Sequence, residues 1–169
     1  MEIELSKVGP VPKRVELRFG RDRIDLDPDG SLTGDAVFHG EVFGRDGRAH
    51  VAGTITADVV TTCSRCLEPV EKHFEIGFDD IFIDASEERP DAEAEISEEQ
   101  LDESLVIGGK VDMADVVREQ LLLAMPEQVF CIEDCKGLCP KCGGNLNLID
   151  CNCADDDIDP RWAALKNLN

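Results

Sequence analysis

Residues 50–66 read HVAGTITADVVTTCSRC, a run rich in valine, isoleucine and threonine that ends in two cysteines. β-Branched residues favour extended backbone, so the first part of this stretch predicts a β-strand over residues 50–62. Further along, residues 70–83 alternate apolar and polar side chains, which predicts a second strand with one buried face. The cysteines Cys63 and Cys66 are therefore expected at the tip of a hairpin between these two strands.

The residues before this hairpin predict more antiparallel strands. Residues 32–43 mix β-branched and aromatic side chains with glycines, and the next four residues, Gly-Arg-Asp-Gly, contain the Asp-Gly pair typical of a hairpin turn. Shorter strands are predicted over residues 3–8 and 15–19. We therefore interpret residues 1–83 as an antiparallel β region.

The residues after position 104 predict a mixture of elements. A short strand over residues 105–107 is followed by Asp112, a candidate N-cap for a helix whose apolar residues recur at helical spacing until Pro126. A last short helix is predicted to carry three apolar residues on one face, namely Trp162, Leu165 and Leu168. The predicted fold class is α+β, with an antiparallel β-sheet in the N-terminal half, a packed helix and a zinc-knuckle C-terminal segment in one integrated domain of residues 1–169.

Acidic side chains dominate the composition. The chain has 37 Asp and Glu residues against 17 Lys and Arg residues, and its formal net charge is −20. Residues 1–48 hold 8 basic and 10 acidic side chains, whereas residues 49–169 hold 9 and 27. Ten acidic residues lie within residues 84–104, which predicts a solvated acidic loop. This charge argues against binding nucleic acid through general electrostatics.

The sequence also bears on the cellular compartment. Apolar residues make up 42% of the chain, enough for a core, but no apolar run approaches the roughly 20 residues that cross a bilayer. The first ten residues lack the apolar stretch of a signal peptide. We therefore expect a cytoplasmic protein, in which closely spaced thiols hold metal more often than disulfides.

The cysteines form four close pairs that use every cysteine in the chain. These pairs are Cys63/Cys66, Cys131/Cys135, Cys139/Cys142 and Cys151/Cys153. Two such pairs can complete a tetrahedral zinc site, so the pattern predicts two structural Zn²⁺ ions. Four thiolate ligands leave no position for an activated water, and His39, His50 and His73 form no catalytic or metal-binding motif. We therefore predict that the protein is not an enzyme.

Spacing alone leaves three ways to combine the four pairs. The eight-residue loop between Cys142 and Cys151 can fold as a small hairpin, which favours one site formed by Cys139, Cys142, Cys151 and Cys153. The other site is then formed by Cys63, Cys66, Cys131 and Cys135, which would attach the hairpin tip to the segment after the helix. The main alternative joins Cys63 and Cys66 to Cys139 and Cys142.

Four segments resemble the DUF177 family, which includes the bacterial YceD proteins, described as large ribosomal RNA subunit accumulation proteins. The segments are CSRCLEPV, LLLAMPEQVFCIEDCKGLCPKCGGNLN, CNC and DPRWAALKNL. The resemblance covers roughly residues 50–169. It implies a non-enzymatic factor for large-subunit ribosomal RNA accumulation and ribosome biogenesis. Some family members lack the cysteines equivalent to Cys139, Cys142, Cys151 and Cys153, which favours the first of the pairings above.

The acidic charge suggests how such a factor acts. An acidic surface suits a basic ribosomal protein of the large subunit as partner. Direct contact with rRNA would need a local basic patch, and the candidates are Lys13, Arg14, Arg18, Arg21 and Arg23. We expect no membrane and no small-molecule substrate. The alternative function is a thiol redox or metal-handling protein with one reactive cysteine pair next to Arg65 or Lys141.

Overall fold

The computed structural model describes residues 1–45, 47–85 and 103–153. Its strands, numbered along the chain, are β1 (Glu2–Glu4), β2 (Lys13–Phe19), β3 (Ser31–Leu32), β4 (Ala36–Arg45), β5 (Arg48–Thr62), β6 (Pro69–Asp84), β7 (Glu103–Val106) and β8 (Lys110–Asp112). The helix α1 spans Met113–Ala124. Most of the predicted acidic loop and the predicted last helix with Trp162, Leu165 and Leu168 lie outside the described residues.

The main sheet has the strand order β2-β4-β5-β6-β7, and β3 pairs with the far end of β5. All its pairs are antiparallel except that of β6 with β7, which is parallel. A second sheet consists of β1 and β8. The predicted α+β class, with a mostly antiparallel sheet and one packed helix in the described part of the chain, is confirmed. The grouping of all 169 residues into one domain stays a prediction.

Several strand boundaries differ from the predictions. The first strand ends at Glu4 because a 3-10 turn follows, and β7 begins at Glu103 rather than at residue 105. The predicted strand over residues 32–43 is split into β3 and β4. At the break, the N–H and hydroxyl of Thr33 both donate to the Asp58 carbonyl of β5. Strand pairing with β5 stops after Leu32 and resumes with β4. The predicted Asp-Gly turn falls between the paired residues Arg45 and Arg48, although Asp46 lies outside the described residues.

The main core lies between one face of the sheet and α1. Alternate residues of β5 point into this core, and the buried ones are Ala49, Val51, Ile55, Ala57 and Val59. The remaining core-facing position of β5 is Gly53, which pairs with Gly40 of β4. The fully buried ring of Phe38 occupies the space that side chains at these two positions would fill. The packing of this ring and the close approach of the β4 and β5 backbones therefore leave no room for side chains at the two glycines.

Helix α1 begins where the sequence predicts. The side chain of Asp112 accepts a hydrogen bond of 3.0 Å from the Ala114 N–H, and Asp115 places a second carboxylate in the first turn. The apolar face of the helix is buried against the sheet, and Gln120 donates to Asp80 of β6 at 3.2 Å. The predicted packed helix is confirmed.

A second, smaller core forms around sulfur at the end of the β5–β6 hairpin. Cys63, Cys66 and Cys135 are buried there, with apolar support from Val70, Phe130 and Leu138. The hairpin tip is therefore part of a packed core, as expected of a segment that anchors another part of the chain.

Candidate metal centres

The structure brings the eight cysteines together in two groups of four. The first cluster consists of Cys63, Cys66, Cys131 and Cys135, and the second cluster consists of Cys139, Cys142, Cys151 and Cys153. Within each cluster the four sulfur atoms lie within 4.8 Å of one another. This grouping matches the pairing that the loop length favours, and it separates Cys63 and Cys66 from the Cys139/Cys142 pair of the main alternative.

The sulfur–sulfur distances suit a tetrahedral ion. A Zn–S bond of about 2.3 Å places tetrahedral sulfurs about 3.8 Å apart. In the first cluster, Cys63 and Cys135 are 3.8 Å apart and Cys66 and Cys131 are 3.5 Å apart. In the second cluster, Cys151 lies 3.4 Å from Cys139 and 3.6 Å from Cys142.

These distances are too long for disulfide bonds, and all eight cysteines are free thiols. Four sulfur donors at this spacing fit zinc, so each cluster could hold a metal ion. Such an ion would supply a closed structural cross-link between two parts of the chain. The identity of the metal and the role of each cysteine as a ligand stay predictions.

Both Cys-x2-Cys turns aim backbone N–H groups at their first sulfur. Burial alone would raise the pKa of the Cys63 thiol, but hydrogen bonds from the N–H groups of Cys66, Arg65 and Cys131 outweigh it and lower the pKa to about 6. The corresponding N–H groups of Cys142 and Lys141 lower the pKa of Cys139 to about 6. A thiolate is the form that binds metal, so each turn prepares one ligand in advance.

The positive backbone angles that these turns require are also present. Leu67 adopts φ 62° and follows Cys66, while its N–H donates to the Cys63 carbonyl at 2.9 Å. In the second cluster, Gly143 adopts φ 71°, and its N–H donates to the Cys139 carbonyl at 2.8 Å. A glycine reaches this region without strain, whereas the leucine is held there by the hairpin.

Arg65 differs from its predicted part. The sequence places it beside a cysteine pair that would be reactive in the redox alternative. In the structure its guanidinium donates to the Cys135 carbonyl at 2.9 Å and lies 4.3 Å from the ring centre of Phe130. Arg65 therefore holds the segment after α1 against the hairpin tip through hydrogen bonding and a cation–π contact.

Three polar residues around the first cluster are not among the site residues predicted from the sequence. Ser64 exchanges hydrogen bonds with the Val129 backbone, Asn145 donates to Glu68 at 3.3 Å, and the Asn147 amide donates to the Cys135 sulfur at 3.2 Å. The available signal for the two asparagines was the GGNLN sequence, which places them in the loop between the candidate ligand pairs Cys139/Cys142 and Cys151/Cys153.

Three of the five candidate RNA contacts are in ion pairs. Arg14 and Arg18 share a face of β2, where Arg14 pairs with Glu41 at 3.2 Å and Arg18 with Glu16 at 2.8 Å. Arg23 pairs with Asp112 at 3.2 Å. The remaining two candidates, Lys13 and Arg21, are exposed.

The comparisons with known proteins identify the family. Residues 51–169 match the family described as "Large ribosomal RNA subunit accumulation protein YceD". The chain belongs to the YceD family. The match includes both cysteine clusters, and it confirms the resemblance found in the sequence. The YceD family is described as an accumulation factor and not as an enzyme.

Three relatives illustrate the extent of the similarity. An uncharacterized protein of Mycobacterium tuberculosis is 31% identical over 118 residues, which is 70% of this chain and 54% of the relative. The uncharacterized protein YlbN of Bacillus subtilis is 32% identical over 117 residues, covering 68% of this chain and 63% of YlbN. The chloroplastic "Large ribosomal RNA subunit accumulation protein YCED homolog 1" of Arabidopsis thaliana is 34% identical over 59 residues, covering 35% of this chain and 18% of the homolog.

The chain spans only about half the length of the mycobacterial relatives that it matches. No solved structure matches it. Among the described residues, no helix has the length and apolar character needed to cross a membrane, and α1 has 12 residues.

Proposed function

We propose that this YceD-family protein is a non-enzymatic factor that supports accumulation of large-subunit ribosomal RNA by binding a basic ribosomal protein. Membership of the family is the observation that carries this proposal. We further propose that zinc in the first and second clusters is structural. On this proposal the metal fixes the shape of the protein, and the acidic surface recognises the partner.

The outward face of the sheet supports a basic protein as partner. Glu71, Glu75 and Asp79 lie four residues apart along β6, all on the face that points away from α1. Asp58 lies on the same face of β5. All four carboxylates are exposed. Across the sheet, the arginines of β2 are already paired with carboxylates. This distribution favours a Lys- or Arg-rich polypeptide over the RNA backbone.

The test combines affinity capture with crosslinking in cells. We expect the full chain to recover a basic large-subunit ribosomal protein, and the Glu71→Lys/Glu75→Lys variant to lose it together with normal levels of large-subunit rRNA. The control is Glu119→Lys/Glu127→Lys, which makes the same charge change in and after α1. Crosslinks of rRNA to residues 13–23 in place of a ribosomal protein would overturn the choice of partner.

The proposal also has a rival in thiol redox chemistry. Stoichiometric zinc and thiols that resist alkylation in the native protein are the expected result, since bound thiolates are poor nucleophiles towards external reagents. One rapidly alkylated cysteine pair in the metal-loaded protein would instead support the redox or metal-handling alternative.

A further inference from the structure

Asn147 belongs to the loop of the second cluster, but its side chain contacts the first. Its amide nitrogen donates to the Cys135 sulfur at 3.2 Å, and its amide oxygen accepts from the Lys136 N–H at 2.8 Å. Cys135 is 3% exposed and Asn147 is half-buried, so this hydrogen bond is partly shielded from water. Hydrogen bonds to a ligand from outside the metal's own coordination shell orient the ligand and commonly change metal affinity 10- to 100-fold.

A network of hydrogen bonds holds Asn147 in this place. The side-chain oxygen of Asn145 accepts from both the backbone and side-chain N–H groups of Asn147, at 3.0 and 2.8 Å. The other end of the Asn145 amide donates to Glu68 at 3.3 Å, next to the first cluster's own hairpin turn. The Leu146 N–H donates to the Gly137 carbonyl at 2.9 Å. The loop therefore contacts both segments that carry the first cluster, the hairpin tip through Glu68 and the segment after α1 through Gly137.

The second cluster fixes both ends of this loop. Cys142 precedes it and Cys151 follows it, and their sulfurs are 3.6 Å apart. A metal bound to both sulfurs would hold the ends of the loop together, so the entropic cost of closing the loop would already be met when Asn147 is placed against Cys135. Without that metal, the loop has to be ordered by its own hydrogen bonds.

We propose that Asn147 is a positioning residue for the first cluster, and that metal bound at the second cluster tightens metal binding at the first through it. By linkage, metal at the first cluster tightens the second by the same factor. Metal binding at the two clusters is then positively cooperative. The proposal concerns metal binding and is independent of the partner proposed above.

The test measures metal release from the full chain loaded with Co²⁺, whose thiolate absorption disappears as EDTA removes it. A Cys151→Ser/Cys153→Ser variant can load only the first cluster, and without metal at the second cluster its Co²⁺ should leave faster than it leaves the first cluster of the wild type. With the second cluster intact, we expect Asn147→Ala to accelerate release from the first cluster about tenfold, as loss of an outer hydrogen bond to a ligand does. Leu148→Ala is the matched control, because this side chain is 76% exposed in the same loop.

The coupling itself is tested by combining the changes. In the Cys151→Ser/Cys153→Ser background, Asn147→Ala is expected to have a much smaller effect, because the loop is already released. An unchanged release rate in the Asn147→Ala variant, with circular dichroism like that of the wild type, would overturn the proposal. A wild-type chain that binds no Co²⁺ would overturn it together with the metal assignment.

Discussion

Ser64 and Val129 exchange two hydrogen bonds between the hairpin tip and the segment after α1. The Ser64 N–H donates to the Val129 carbonyl at 2.7 Å, and the Ser64 hydroxyl accepts from the Val129 N–H at 3.0 Å. Cys63, on one side of Ser64, belongs to the first cluster, and Cys131 lies two residues after Val129. These two hydrogen bonds therefore join the same two segments that the cysteines of the first cluster bring together.

Ser64→Ala is expected to lower the free energy of unfolding by about 1–3 kcal/mol, because Val129 is buried and its N–H would lose its partner. Urea denaturation of the zinc-loaded protein measures this loss. Thr62→Ala is the control, since Thr62 is exposed at the end of β5. Equal stability of the Ser64 variant and the wild type would mean that water replaces the hydroxyl.

Zinc content is expected to report the two clusters separately. The wild type should carry two zinc ions per chain. The Cys63→Ser/Cys66→Ser and Cys131→Ser/Cys135→Ser variants should each carry one, because each removes half of the first cluster. Elemental analysis of the purified variants gives the answer. The variant that combines both changes, Cys63→Ser/Cys66→Ser/Cys131→Ser/Cys135→Ser, should still carry one zinc ion, and a zinc content of zero in it would contradict the grouping.

Gly53→Ala is expected to destabilise the protein by about 1–3 kcal/mol, the usual cost of overpacking a core. A Cβ atom at Gly53 would lie 2.6 Å from the fully buried Phe38 ring and closer still to the His39 carbonyl oxygen on β4, which cannot move aside easily. Gly77→Ala on the neighbouring strand is the control, because there the nearest atom would be 4.0 Å away. Thermal unfolding compares the two, and a similar loss of stability in both variants would contradict the steric explanation.

Asp112→Ala is expected to cost about 1 kcal/mol at neutral pH through loss of the helix cap. The hydrogen bond from the Ala114 N–H, assisted by the Met1 ammonium at 3.4 Å and then by the Arg23 guanidinium, holds the pKa of Asp112 below its usual 3.8. A carboxyl group with a lowered pKa in the folded state contributes stability above about pH 4, and this contribution is lost as the pH falls through the folded value. The stability difference between the wild type and Asp112→Ala should therefore shrink below pH 4.

Asp112→Asn serves as the control for this pH dependence. Asparagine also caps helices but does not ionise, so its stability relative to Asp112→Ala should vary little with pH. Urea denaturation between pH 3 and pH 7 measures both differences. A constant difference between the wild type and Asp112→Ala over this range would contradict the role of the charge.

Features set by neighbouring residues were predictable from the sequence. The Asp112 cap and the apolar spacing of α1 depend on a few adjacent positions, and the alternation in β5 and β6 follows from one buried face. The grouping of the cysteines could be favoured but not decided, because loop length limits the partners of Cys139 without specifying them.

Features that depend on distant residues were not predictable. The pairing of β1 with β8 joins the first residues to Lys110–Asp112, and no local pattern records such a partner. The parallel arrangement of β6 and β7 depends on the path of the chain between them. The hydrogen bond of Asn147 to Cys135 depends on how the two clusters pack together. The loop between Cys142 and Cys151 was therefore predictable from the cysteine spacing, but the role of Asn147 was not.

The first cluster joins Cys63 to Cys135, 72 positions later in the chain. During synthesis the hairpin tip leaves the ribosome with only two of its four sulfurs, and the other two follow after β7 and α1 have been made. Zinc held by all four thiolates therefore cannot form on the nascent hairpin alone, although N-terminal elements can fold as they emerge. Metal capture at this centre would therefore have to wait for synthesis of the whole main sheet and of α1.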